Sequence, residues 1–231
     1  KSDLRAFVPN ETLVYLETND LENTLAALTD NKAFRQLAKS KEDFSVLSGV
    51  QVAVAVTGFE VSDKELTAEH SVLNFKPRFV AVADTHTFET ANLSLVENQL
   101  NDFVSSISGD DSKFETIEKT GVKMFVWTAK DGRKIFSAVS ESLIYFSNDE
   151  AGIEKFLAVK RGETENLTKN ESLAREREKA ANALAFGFVT NEGTAQISNL
   201  ITAPIAVNAT EDNEERQAVA QILAPILQKT F

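Results

Sequence analysis

Apolar and polar positions along the chain fall into short strand-like runs, and four of these end in a small polar cluster that opens a helical pattern. Thr12-Leu-Val-Tyr-Leu-Glu17 leads through Thr18-Asn19-Asp20 into an amphipathic stretch from Leu21 to Leu28. Phe79-Val-Ala-Val-Ala83 leads through Asp84-Thr-His-Thr87 into a helix reaching about Ile107. Ser142-Leu-Ile-Tyr-Phe146 passes through Ser147-Asn148-Asp149 into a helix to about Val159. Leu184-Ala-Phe-Gly-Phe-Val189 passes through Thr190-Asn191-Glu192 into a helix to about Ile201. Each cluster has the chemistry of an N-cap, in which a short side-chain oxygen accepts from first-turn N–H groups that lack a carbonyl partner. Acids just inside each helix suit its dipole.

Further strands lie between these units. Val50-Gln-Val-Ala-Val-Ala-Val56 alternates only weakly, which predicts a strand buried on both faces or nearly so. Val122-Lys-Met-Phe-Val-Trp-Thr128 and Lys134-Ile-Phe-Ser-Ala-Val139 flank an Asp131-Gly132 pair, whose glycine suits a tight hairpin turn. Ser140-Glu-Ser142 then turns into the next strand, giving a three-stranded meander over 122–146. Hairpins together with strand–helix units predict an α+β fold: a mixed, largely antiparallel sheet with helices on one face.

Two phrases echo each other. Tyr15-Leu-Glu-Thr-Asn-Asp20 is matched by Tyr145-Phe-Ser-Asn-Asp149, and Asn31-Lys-Ala-Phe34-Arg35 by Asn170-Glu-Ser-Leu173-Ala-Arg175. Two readings stay open: coincidence within common helix–strand grammar, or a duplicated strand–helix–strand half-domain. The second divides a single 1–231 domain into pseudo-repeat halves 1–130 and 131–231. Toward the end, 193–210 carries no charge, and Ala218-Val219, Ile222-Leu223 and Ile226-Leu227 recur at helical spacing around Pro225. That stripe predicts a packed terminal helix, with an exposed partner-binding face as the alternative. A chain beginning at Lys1 and ending at Phe231 soon after the stripe is expected to be processed or trimmed.

Composition narrows the functional classes. The hydrophobic share of 42% over 231 residues supports a real core and opposes disorder. A net charge of -11, with no basic patch, opposes nucleic acid and anionic membrane surfaces as partners. Cysteine is absent, which removes disulfides, thiolate metal sites and cysteine nucleophiles. No apolar run is long enough to span a bilayer.

The opening Phe7-Val-Pro9-Asn-Glu-Thr12-Leu-Val-Tyr15-Leu, then Asn19-Asp20-Leu and Ala33-Phe34-Arg35, resembles a family of exported bacterial proteins catalogued as a domain of unknown function (DUF3352). The Asn148-Asp149 phrase and the stretch from Leu173 to Phe188 are also similar, so the resemblance covers roughly the first 200 residues. It implies an exported setting, periplasmic or extracellular, with a membrane anchor outside this chain. It implies no activity and carries over no functional residues.

Candidate chemistry is sparse. His86 stands beside Asp84, Thr85 and Thr87 at a strand end, where a general base would suit, yet no serine-nucleophile motif accompanies it. Glu65, Glu69 and His70 match no metal-ligand spacing, and Asp110-Asp111 lacks the further oxygens a Ca²⁺ loop supplies. The sequence therefore assigns no catalytic, cofactor-binding or metal-binding residue, and a non-enzyme is expected. Sixteen phenylalanines fall mostly in apolar runs, as core packing requires. They also allow an apolar cavity beneath the sheet. The leading expectation is a cell-envelope domain working by protein–protein contact, as assembly subunit, scaffold or homo-oligomer. A carrier or sensor of an apolar ligand in a Phe-lined cavity comes second, and a hydrolase using His86 with Asp84 third.

Overall fold

The computed structural model describes residues 1–30, 45–67, 70–108, 112–119, 121–209 and 213–230. Chain order runs β1 (Val14–Thr18), α1 (Leu21–Asp30), β2 (Gln51–Thr67), β3 (His70–Asp84) and α2 (Glu89–Leu95). A π turn (Val96–Leu100) continues α2 into α3 (Asn101–Ser108). The meander β4 (Lys113–Lys119), β5 (Val122–Thr128), β6 (Lys134–Ser140) and β7 (Leu143–Ser147) follows. Then come α4 (Glu150–Lys160), α5 (Glu171–Lys179), β8 (Ala185–Val189), α6 (Asn191–Ala209) and α7 (Asn213–Thr230). The eight strands form one sheet in the order β4-β5-β6-β7-β3-β2-β1-β8. Every neighbouring pair is antiparallel, so the α+β class holds.

The polar clusters act as the sequence suggests at two helices and differently at the others. Asp20 Oδ1 accepts the Asn23 N–H at 3.1 Å, and Thr190 Oγ1 accepts the Gly193 N–H at 3.0 Å. At α4 the Asp149 carboxylate caps nothing; Ser147 Oγ instead accepts the Asp149 N–H at 2.9 Å. Asn148 reaches sideways to β3, accepting from Phe79 N–H at 3.1 Å and donating to the Pro77 carbonyl at 2.8 Å. At the meander, Gly132 takes φ +83° and Ala129 N–H donates to the Arg133 carbonyl at 2.8 Å, closing the expected Asp-Gly turn.

Register sorts the side chains onto two buried faces. On one, Tyr15, Ala55, Val80 and Val82 line up with Tyr145, Ala138, Met124 and Val126. Ile153, Phe156 and Leu157 of α4, Leu173 of α5, and Leu4, Val8 and Leu167 of flanking turns cover this face. Close approach of α4 depends on Gly152, where a Cβ would lie 2.9 Å from Val80 Cγ2. On the other face, Phe125, Trp127, Val139 and Ile144 pack against Val96 of the π turn and Val104 of α3. Helices thus cover both faces, not one as expected. The reason is visible in Met124-Phe125-Val126-Trp127, four buried residues in succession, which a strand open to water on one side would not carry.

β2 and β3 reach far beyond the sheet. β1 pairs with β2 only over Val52–Val56 and β7 with β3 only over Val80–Asp84, yet the β2–β3 pairing continues to Thr67↔His70. A register shift between Val56 and Gly58 marks the departure point. The two-stranded ribbon beyond it extends about 30 Å at roughly 3.3 Å per residue. Glu65 and His70 lie in this ribbon, and Glu69 and Asp110-Asp111 lie outside the described residues. The two echoing strand–helix phrases turn to opposite faces. α4 covers the Tyr15–Tyr145 face, whereas Leu21, Leu25 and Leu28 of α1 lean over Leu16, Val52 and Val54 on the other.

Candidate functional site

The end of β3 gathers the polar groups the sequence singled out. Asp84 is buried at 3% exposure, and its Oδ2 accepts the Ser2 hydroxyl at 2.5 Å. Its Oδ1 accepts the His86 N–H at 3.0 Å and lies 3.4 Å from His86 Nδ1. Burial pushes the Asp84 carboxyl upward, but hydrogen bonds from Ser2, the His86 amide and Ser142 outweigh it and leave the group below the ordinary carboxylate value. His86 takes φ +56°, and its side chain is 42% exposed. Hydrolysis by a triad needs a hydroxyl, an imidazole and a carboxylate in that order. Here the carboxylate stands between the other two, and the Ser2 proton points at Asp84.

Thr85 and Thr87 are spent on structure as well. Both hydroxyls donate to Asn92 Oδ1, at 2.7 and 2.9 Å, and Asn92 Nδ2 donates to the Glu141 carbonyl at 3.1 Å. This network, with Asn92 fully buried, ties the start of α2 to the β3 end and to the β6–β7 turn.

Beside it opens an apolar hollow of about 390 Å³, floored by Ala81, Ala83, Ile144 and Phe146 and walled by Leu21, Leu47, Leu95 and Leu100. A second, of about 410 Å³, lies across Leu21, between Leu25 and Leu28 of α1 and Leu16, Val52, Val54 and Gly187 of the sheet. Together they make one trough along the face opposite α4. The lining is largely aliphatic: among the described residues, Phe146 and Phe186 are the phenylalanines that reach it. Phe125, Phe136 and Phe156 are consumed by the two cores. Sequence reading missed this trough because small residues make it. Ala81, Ala83, Ala185 and Gly187 lower the floor, and small side chains in a strand look like ordinary packing.

A third cluster lies across the sheet. Glu17 is buried at 8% exposure between the Tyr15 hydroxyl, which donates to Oε2 at 2.6 Å, and Arg177 Nε, which donates to Oε1 at 2.5 Å. Burial, and then the neighbouring Glu17 carboxylate, hold the Tyr15 phenol far above its ordinary value. The pair fixes α5 to β1. Among the described residues, no group of three or more acidic or histidine side chains gathers to hold a metal ion. No family model, no curated protein and no solved structure matches the chain.

Proposed function

We propose that this chain is a non-catalytic domain of the bacterial cell envelope that acts by contact with another protein, received in the trough between α1, α2 and the sheet. The trough carries the reading: two apolar hollows on one face of the sheet that share Leu21 in their linings. Leu16, Leu28 and Val189 stand 49%, 45% and 43% exposed beside it, a grouping of apolar surface that a lone soluble domain gains nothing by displaying. The spent chemistry around Asp84 and Glu17 supports a role in binding over one in catalysis. The exported setting rests on the resemblance of the opening phrases to the DUF3352 proteins.

A carrier of an apolar ligand is the second reading, favoured by the hollow of about 390 Å³ beside Asn92, whose size suits a small molecule. Small-molecule sites bury most of their ligand, whereas Leu16, Leu28 and Val189 stand half exposed here, which favours the protein-contact reading.

A photo-crosslinking residue in place of Leu28, with a control in place of Ile222 on α7, tests the proposal in the native host. A protein adduct from the Leu28 position alone supports it. An adduct from the Ile222 position alone moves the contact to the α6–α7 hairpin and overturns it. No protein adduct, with a small molecule retained on the purified chain, favours the carrier.

A further inference from the structure

The two edges of the sheet are built differently. β4, at one end, reads Lys-Phe-Glu-Thr-Ile-Glu-Lys from 113 to 119, and Lys119 is paired with Glu150 and Glu154. Charges of this kind guard an edge against another strand. β8, at the other end, reads Ala-Phe-Gly-Phe-Val from 185 to 189, with no charge and no proline. Among the described residues, no strand lies on its outer side.

Hydrogen bonding tells which groups this edge offers. Thr190 donates its N–H to the Leu13 carbonyl at 2.9 Å, in line with the register Val14↔Val189. In an antiparallel ladder, bonded and non-bonded pairs alternate. Phe188 and Phe186 therefore turn their N–H and C=O groups to β1. Ala185, Gly187 and Val189 turn theirs outward.

Hollows flank the same edge on both faces. On the α1 side lies the trough of about 410 Å³, whose lining includes Ala185 and Gly187. On the other lies a hollow of about 90 Å³ lined by Glu17, Arg177, Leu184 and Phe186. An added strand sends successive side chains to alternate faces, so those beside Ala185, Gly187 and Val189 meet the trough. The trough is apolar, whereas α1 above it carries Glu22, follows Asp20 and contains no basic residue through Asp30. A second copy is disfavoured as occupant: each chain has a net charge of -11, and a five-residue edge falls well short of a standard interface of roughly 1,600 Å².

We infer that β8 receives an extended segment of a basic partner as a ninth strand, with apolar side chains at alternate positions set into the trough and lysine or arginine between them. The inference rests on the protein-contact reading and names its mode.

The probe is a fluorescent nonapeptide of alternating valine and lysine, titrated into the full chain and followed by anisotropy and amide hydrogen exchange. Saturable binding is expected, with exchange slowed at Ala185, Gly187 and Val189. Methylating alternate peptide nitrogens, replacing lysine by glutamate, or making Val189→Pro in the chain should each weaken binding by about tenfold or more. Val189→Pro removes an outward donor while leaving the β1 ladder intact. The exchange pattern needs no variant and stands if Val189→Pro fails to fold. Equal binding of the N-methylated peptide, or protection confined to α6 and α7, overturns the inference. So does absence of binding, with or without a β8–β8 dimer in sedimentation. A Leu28 protein adduct that persists through such a failure leaves the contact reading standing without the strand.

Discussion

Leu16 fills the space that a side chain at Gly187 would need: a Cβ there would lie 2.9 Å from Leu16 Cδ2. The two residues face each other across the β1–β8 ladder, and the half-exposed leucine owes its position to the glycine. Gly187→Ala is expected to cost about 1 kcal/mol or less, because the obstructing atom is the end of a flexible side chain. Gly193 is the contrast. A Cβ there would lie 2.1 Å from the Leu13 carbonyl oxygen, a backbone atom that cannot rotate away. Gly193→Ala is expected to cost roughly 3 kcal/mol, and denaturant melts of the two variants measure the difference.

Acid stability should depend on Asp84. Its folded-state pKa is lowered, so the stability it supplies is present above about pH 4 and is lost as pH falls below that. Asp84→Asn should flatten the acid limb of the stability curve and cost about 1–3 kcal/mol at neutral pH. Ser2→Ala should act in the same direction with a smaller effect, since Ser2 supplies one of the bonds that hold the carboxylate charged. Urea melts from pH 3 to pH 7 follow both.

Both tyrosines of the chain are fully buried, and burial raises both phenols. A raised folded pKa keeps its stabilising contribution below the unfolded value of about 10 and loses it as pH rises further. Tyrosinate absorbance should therefore be silent in the native protein at pH 10 and appear together with loss of far-ultraviolet ellipticity. Ionisation that runs ahead of unfolding would contradict the burial of Tyr15 and Tyr145.

Trp127, the single tryptophan, donates its indole N–H to Asn101 Oδ1 at 2.8 Å and so reports how α3 sits on the sheet. Asn101→Ala leaves that buried donor without this partner and is expected to cost about 1–2 kcal/mol. Chemical denaturation followed by Trp127 emission and by ellipticity checks it.

How much of this was legible varied with burial. Strands with one or two core faces announced themselves: Val14–Thr18, Val122–Thr128, Lys134–Ser140 and Leu143–Ser147 all stand within two residues of where the apolar runs place them. The outer ribbon did not, because Glu60, Lys76 and Arg78 meet water and each other, leaving no apolar periodicity to read. β4 was hidden for the same reason, being exposed almost throughout. The second helical face is legible in Met124-Phe125-Val126-Trp127, an unbroken buried run of the same kind as the apolar stretch at 50–56. The trough was out of reach. Ala81, Ala83 and Gly187 show their meaning only when strand order and register bring them to one face of the sheet, Ala81 and Ala83 in one hollow and Gly187 in the other.

Native mass spectrometry of the protein purified from its own host tests the central claim most directly. The protein-contact account predicts a second polypeptide retained on the chain, and the ninth-strand inference adds its release when Val189 is changed to proline. A retained small apolar molecule, displaced by bulky substitution at Ala83 in the trough floor, would contradict it and make the domain a carrier.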